Sequence, residues 1–300
     1  MSIEASWVIP NIPKPKAGWL VFSRDYVLAA LQGCAAKPSR VKRSASWIAV
    51  GESVRAMMAV LQATIWVITR IPIVSSLFET VARGYSRDAL GFFMRACYWK
   101  ARLKYLGVDT IIDQGVDIWG PANVSIGSKC HLGTHVRLAA GESKHGQYGD
   151  ISVGDYVHLG PNVHIAGRGG VTIGDLVGVS AAAHIYSATN LILDMAAPDQ
   201  LVSMSHMAPV VHQAILEKRV VIESYALIGM MARILPGVTV GKGAVVHANT
   251  ELTSNVPAFA NFGGQPKSKQ IGWRKPIRRR PTAPSESPIS TSKPGGWQDV

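Results

Sequence analysis

Aliphatic residues recur at every sixth position through the second half of this chain, and few backbone geometries tolerate that period. The longest unbroken series is Ile222, Ile228, Ile234, Val240, Val246 and Leu252. Shorter ones run Ile126, Leu132, Leu138, then Val153, Leu159, Ile165, then Ile173, Val179, Ile185, after an opening pair at Ile112 and Ile118. Ile118 to Ile126 and Ile165 to Ile173 are each eight residues apart, one hexad plus two inserted residues. A helix repeats its faces every 3.6 residues and a strand every two. Period six therefore reads as one short strand plus a corner, with three hexads closing one triangular coil. The aliphatic residue points into the prism, and the small residue that commonly follows it lets the chain turn. Coils stack at the strand spacing of about 4.8 Å, and none buries its apolar side alone, so the stack is one cooperative domain. Residues 107–272 supply about five to six coils of a mainly β fold.

The rest of the chain divides by composition. Residues 1–46 are polar and read as poorly ordered, with a basic cluster at Arg40, Lys42 and Arg43. Met1–Gly18 is interrupted by three prolines and two lysines and lacks the continuous apolar run of a signal peptide. Residues 47–106 read as helical: Met57, Val60, Leu61, Thr64, Ile65 and Ile68 fall at spacings of three and four, Pro72 breaks the run, and Leu90–Leu106 resumes it. Ala56–Thr69 is uncharged but only 14 residues long, short of the roughly 20 that span a bilayer. Extending it to Phe78 encloses Arg70, at about 2.5–3.5 kcal/mol near the bilayer centre. This region is expected to dock on its own domain or to touch an anionic membrane surface. Residues 273–300 form a basic, Pro- and Ser-rich tail expected to be disordered.

Lys and Arg number 31 against 19 Asp and Glu, a net charge of +12 that implies an anionic partner. Between Lys267 and Arg280 there are seven basic residues and no acid. The excess thus lies outside the prism and suits phosphate capture or an anionic membrane. No nucleic-acid motif accompanies it, and no nucleic-acid partner is expected. Cys34, Cys97 and Cys130 show no metal-binding spacing and are odd in number, as expected of free thiols in a reducing cytoplasm.

The runs VSIGSKCHLGTHVRL, ISVGDYVHLGPNVHI, VTIGDLVGVSAAAHI and LPGVTVGKGAVV, with the ending NVPAFANFGGQP, resemble the hexapeptide-repeat acyltransferases, in particular sugar O- and N-acetyltransferases. The resemblance covers about residues 107–272. It implies a left-handed parallel β-helix, an exception to the right-handed crossover rule. It further implies a homotrimer that binds acetyl-CoA or another acyl-CoA in a groove between subunits. The acceptor would be a sugar, nucleotide-sugar or glycan hydroxyl or amine, in polysaccharide or glycan biosynthesis. Such an enzyme would work in the cytoplasm, with a peripheral position at the inner face of the membrane as the further expectation.

In the family the base is typically a histidine at the start of an ejected loop. Here the hexad after Ile185 is replaced by the loop Asn190–Arg219, and long loops in compact domains are usually functional. Where many members carry histidine this chain reads IYSATN, placing Asn190 there, a pattern closer to the branch that acylates nucleotide-linked sugars. His206, in SMSHMAP, and His184, which precedes Ile185 and should point outward, are the substitute bases, with Asp194 or Asp199 to orient either. For CoA, the small corner residues Gly229, Ala232, Gly241 and Ala248 are candidates for pantetheine contacts. The terminal segment offers Gly263, Gly264, Pro266 and Lys267, and Lys242 and Lys269 add charge. No cysteine falls at the loop, so direct attack of the acceptor on acyl-CoA is expected, without a covalent enzyme intermediate.

Two other readings remain open on sequence. His131 and His158 precede the second aliphatic of their blocks, and His164 and His184 the third, so each pair should share a face in adjacent coils. That pattern suits a γ-class carbonic-anhydrase-like zinc protein, since a histidine trio is a sound zinc site. The loop and the CoA-like ending favour acyl transfer instead, and no metal is expected. A non-enzymatic trimeric scaffold is the remaining alternative.

Overall fold

Each hexad contributes one short strand, and every third strand stacks on the one before it. The first face comprises Tyr105–Leu106, Val124–Ile126, Ile151–Val153, Val171–Ile173, Val220–Ile222 and Thr239–Val240. The second begins at Ile111–Ile112 and ends at Val245–Val246, after which Ala260–Gly263 adds a further strand; the third runs from Asp117–Trp119 to Glu251–Leu252. All neighbours on the prism are parallel, and six complete coils result. The computed structural model describes residues 10, 12–15, 17–32, 41–85, 88–141, 149–192, 202–263 and, as backbone, 269–273. Cys34, Arg40, Asp194, Asp199, Gly264, Pro266, Lys267 and the tail 274–300 lie outside those residues.

The hexad aliphatics point inward as expected: Ile112, Ile126, Leu132, Leu138, Leu159 and Ile165 are all fully buried. The small residue after each one has a different task from the expected one. The left-handed turn falls two residues further on, at Lys129, His135, Tyr156, Asn162, Leu176 and Met231, with φ from 57 to 61°. What the small residue provides is room for the next coil. A Cβ on Gly127 would sit 2.4 Å from the carbonyl oxygen of Gly154, and one on Gly160 would sit 2.7 Å from the amide of Ala181.

Side chains tie the coils together at the corner between the first and second faces. The Ser128 amide donates to Asp155 Oδ1 (2.7 Å), that of Asp155 to Asp175 Oδ1 (2.8 Å), and that of Asp175 to Ser224 Oγ (3.0 Å). Every long insertion falls at the corner between the third and first faces. There the chain leaves the prism after Ala139 and again after Tyr186, while Ile234 to Val240 crosses the same corner without an insertion.

Four helices precede the prism: α1 (Arg24–Leu31), α2 (Ala45–Ile68), α3 (Pro72–Gly84) and α4 (Ala89–Arg102). Helix α1 lies inside the segment read as poorly ordered. Ser23 caps it by accepting from the Tyr26 amide, and buried Val27, Leu28 and Ala29 face the domain. Leu28 packs where Gly51 of α2 leaves space, since a Cβ there would meet Leu28 Cδ2 at 2.7 Å. Pro72 ends one helix and starts the next, as its missing N–H and fixed φ favour.

Helix α2 buries only part of its expected stripe: Ile65 is buried and Ile68 half-buried, but the buried face is rotated towards Gly51 and Gln62. Gly51, Gln62 and Ile65 are buried, whereas Met57, Val60 and Leu61 are exposed. Gln62 pins this stripe, donating to the Trp19 carbonyl (2.7 Å) and accepting from the Val21 amide (3.0 Å).

Helix α4 closes the first end of the prism, with Tyr98, Trp99 and Leu103 in the same apolar cluster as the coil interior. It ends at Arg102, short of the predicted Leu106, because Tyr105–Leu106 already pairs with Ser125–Ile126 as the first prism strand. Two of its basic residues, Arg95 and Lys100, turn inward. Arg95 is fully buried and donates to the carbonyls of Ile112 (2.7 Å), Tyr85 (2.9 Å) and Ala82 (3.3 Å). Lys100 turns inward to the carbonyls of Leu106 and Gly18, and burial lowers its pKa.

Two stability predictions follow from this packing. Gly127→Ala forces backbone apart between coils and should cost about 1–3 kcal/mol. Arg95→Met strips donors from three carbonyls and should cost about 3 kcal/mol. Denaturant unfolding followed by circular dichroism measures both; unchanged midpoints would refute the packing argument.

Candidate functional site

The third face, which runs into the corner that ejects the insertions, carries a row of chemistry-bearing side chains. The outward position of the third face reads Asp117, Arg137, His164, His184, Arg233 and Glu251 down successive coils, each in register with the next. Alternation along each strand puts these residues outside while Ile118, Leu138, Ile165, Ile185 and Ile234 fill the interior.

In the middle of this row His184 and His164 meet edge to face, with ring centroids 6.0 Å apart. Tyr186, two residues along the same strand, stacks on His184 at 5.9 Å and presents its edge to His164 at 5.7 Å. Burial lowers the His164 pKa, and the charges of Arg137 and His184 lower it further. A neutral imidazole at working pH can accept a proton, which is what a general base requires. Arg137 lies over the Trp119 ring at 4.5 Å and 3.6 Å from Asp117, which also meets Arg83 at 3.2 Å.

The long loop rises directly from this cluster. Ala188–Asn190 pairs antiparallel with Ile215–Glu217, so both arms of the loop are held at its base. Ion pairs staple it to the neighbouring insertions: Arg168 to Glu217 at 2.7 Å, and Arg219 to Asp150. Arg219 also donates to Thr172 Oγ1 (3.0 Å), and its hydrogen bond holds the Asp150 carboxyl below the usual range. Buried Ser187 completes the joint, its hydroxyl donating to the Ala166 carbonyl and accepting from the Gly169 amide, both at 2.8 Å.

Of the residues singled out from sequence, His184 points outward at the loop base as expected. Asn190, at the end of the first arm, donates from Nδ2 to the Met204 carbonyl further along the loop (3.1 Å). His206 is exposed on the loop and takes no part in the His164–His184–Tyr186 cluster. The contact of His164 and Tyr186 with His184 is not among the sequence expectations. The signal for His164 was present, since it precedes the third aliphatic of its block just as His184 does; only the stacking of coils turns that shared position into contact.

The small-residue candidates do not form one groove. Gly229 and Ala248 abut at the corner between the second and third faces, where a Cβ on Gly229 would lie 2.5 Å from the Ala248 amide. Gly241 is buried and Lys242 half-buried at a different corner, where the Lys242 amide donates to Glu223 Oε2 (2.8 Å). Ala232 is fully buried in the prism, so its side chain is core rather than binding surface. Gly263 pairs with Lys269 through an antiparallel turn-back of the chain.

The predicted histidine pairs both form. His131 and His158 stack at 5.1 Å on the second face, with His131 Nε2 3.3 Å from buried Asp113. The two pairs occupy different faces, however, and among the described residues no group of three His, Cys, Asp or Glu side chains is placed to hold a metal ion.

No protein-family model matches the chain. It is 28% identical over 181 residues to the dTDP-4-amino-4,6-dideoxy-D-glucose acyltransferase of Escherichia coli, covering 59% of this chain and 82% of that one. It is also 28% identical over 149 residues to UDP-3-O-acylglucosamine N-acyltransferase 2 of Rhodopseudomonas palustris, covering 48% of this chain and 35% of that one. Among solved structures it is similar to AntD, an N-acyltransferase from Bacillus cereus in complex with dTDP-4-amino-4,6-dideoxyglucose and coenzyme A. That likeness has a TM-score of 0.51 at 20% identity over 64% of this chain and 91% of that chain. It identifies the prism as a left-handed β-helix.

Both His158 and His164 have pKa values lowered from the ordinary 6.5, chiefly by burial. A histidine depressed in the folded state resists the proton that the unfolded chain accepts. Its stabilisation is present above 6.5 and is lost as pH falls towards the lowered values. Stability should therefore decline as pH falls from 7 towards 5, and His158→Gln with His164→Gln should flatten that decline; unfolding midpoints across the range test it.

Proposed function

We propose that this chain, a left-handed β-helix of the hexapeptide-repeat acyltransferases, transfers an acyl group from acyl-CoA to an amine or hydroxyl of a nucleotide-linked sugar. The likeness to the Escherichia coli acyltransferase over most of that enzyme's length carries the reading. The prism ejects its long loop directly above a pair of outward histidines, which supplies the chemistry.

In this scheme the acceptor nitrogen or oxygen attacks the thioester carbonyl. Its proton passes to the imidazole of His184 or of its neighbour His164, and the tetrahedral intermediate collapses to amide or ester. Coenzyme A leaves as thiolate and takes up a proton. Tyr186 holds the two rings in place, and Asn190 with the Arg168–Glu217 pair fixes the loop that covers the acceptor. His206, exposed on that loop, is the alternative base. Pantetheine runs past Gly229 and Ala248, with Lys242, Lys267 and Lys269 available to phosphate. The assembly is a homotrimer, in which a groove between copies completes the acyl-CoA site. The enzyme works at the cytoplasmic face of a membrane in glycan or polysaccharide synthesis.

The test is release of free CoA from acetyl-CoA in the presence of a dTDP-4-amino sugar. His184→Ala should lower kcat by about 10²-fold, the lower end for a general base, with little change in the KM for acetyl-CoA. His164→Ala should do so less severely. If His206→Ala alone abolishes turnover, the base is on the loop; if no variant slows transfer tenfold, unassisted attack by the acceptor replaces this mechanism.

A further inference from the structure

Helices α2 and α3 present apolar surface that the other described residues leave uncovered. Along α2, Met57, Val60 and Val67 are 57, 68 and 60% exposed; on α3, Ile73 and Leu77 are 76 and 66% exposed. Ile71, in the turn between them, is exposed as well, so the apolar run continues from one helix to the next. A helix that is apolar on nearly all sides is ordinarily buried, and patches of this kind on soluble domains mark an interaction surface.

Charge selects the occupant. Glu52 pairs with Arg55 at 2.9 Å, and from there to Glu79 the charged residue left on this surface is Arg70. Arg70 lies over the Trp66 ring at 4.1 Å, and Trp66 is itself exposed beside Val67. An aromatic ring and a cation at the edge of an apolar band is the chemistry that suits the boundary between lipid headgroups and acyl chains. A second copy of the chain would bring like charges together at Arg70, whereas an anionic bilayer brings opposite ones.

Length and composition alone would let α2 cross a bilayer, with 24 residues and a mean hydropathy of 1.3. Its inner stripe argues against crossing. Gln62 is committed to backbone groups of Trp19 and Val21, and Ile65 is packed within the helical cluster, so lipid cannot surround the helix.

We propose that α2 and α3 form a monotopic anchor, lying in the plane of an anionic membrane with Met57, Val60, Val67, Ile73 and Leu77 inserted among the acyl chains. The proposal names the lipid-contacting surface for the peripheral position given under Proposed function and rests on that position, not on the acyl-transfer chemistry.

Flotation of the full chain with phosphatidylglycerol-rich and with phosphatidylcholine vesicles tests it. The chain should float with the anionic vesicles, and a Val60→Glu, Ile73→Glu, Leu77→Glu variant should lose about tenfold in bound fraction. Because those side chains are already exposed, the variant should keep the wild-type melting temperature. Hydrogen exchange on the unaltered chain gives a second readout, with vesicles protecting peptides within residues 56–78. Three outcomes overturn the proposal: no binding to anionic vesicles, binding that the variant does not weaken, or self-association of the chain that the variant abolishes. Vesicle binding without acyl transfer would instead leave the anchor standing and remove the enzymatic reading, and the converse would do the reverse.

Discussion

Backbone-to-backbone contact between successive coils is the constraint on which the rest of this structure depends. Strands two or three residues long cannot hold a sheet by themselves, and here each is stabilised only by the coil above and the coil below. That contact is close enough at the corners to forbid a Cβ on Gly127 or Gly160. It is also regular enough to line up one outward side chain per coil into a continuous row. The chain accepts a left-handed residue at corner after corner, including Leu176 and Tyr156, which gain nothing from that conformation locally. The repeated cost is offset by the continuous apolar interior it closes.

The same regularity concentrates insertions and titratable side chains on one side of the prism. Two corners of the prism turn tightly in every coil, so inserted sequence collects at the third. The described ends of these insertions therefore meet, where the Arg168–Glu217 and Arg219–Asp150 pairs join them to the turn at Arg168. The outward row beneath them places His164, His184 and Tyr186 together at the loop's base.

The helical region solves a separate problem. A prism has an open first end, and α4 closes it with Tyr98, Trp99 and the buried guanidinium of Arg95, which answers carbonyls left over from α3, the following turn and the first coil. Helix α2 is then held by one narrow stripe through Gln62 and Ile65, leaving its broader apolar surface outward.

The sequence by itself determined the prism: its hexad period, the inward aliphatics, the position of the long loop and the outward direction of His184. These are legible because each is a repeated local rule that stacking enforces coil by coil. The tertiary structure decided how much of the α2 stripe is buried, because the groups that hold Gln62 inward belong to Trp19 and Val21, more than 40 residues away. It alone turned Arg95 inward, since the carbonyls that accept its hydrogen bonds belong to residues 10 to 17 positions away. It also made His164 a partner of His184 while leaving His206 apart, because contact between coils depends on how many residues each insertion adds before the next strand begins.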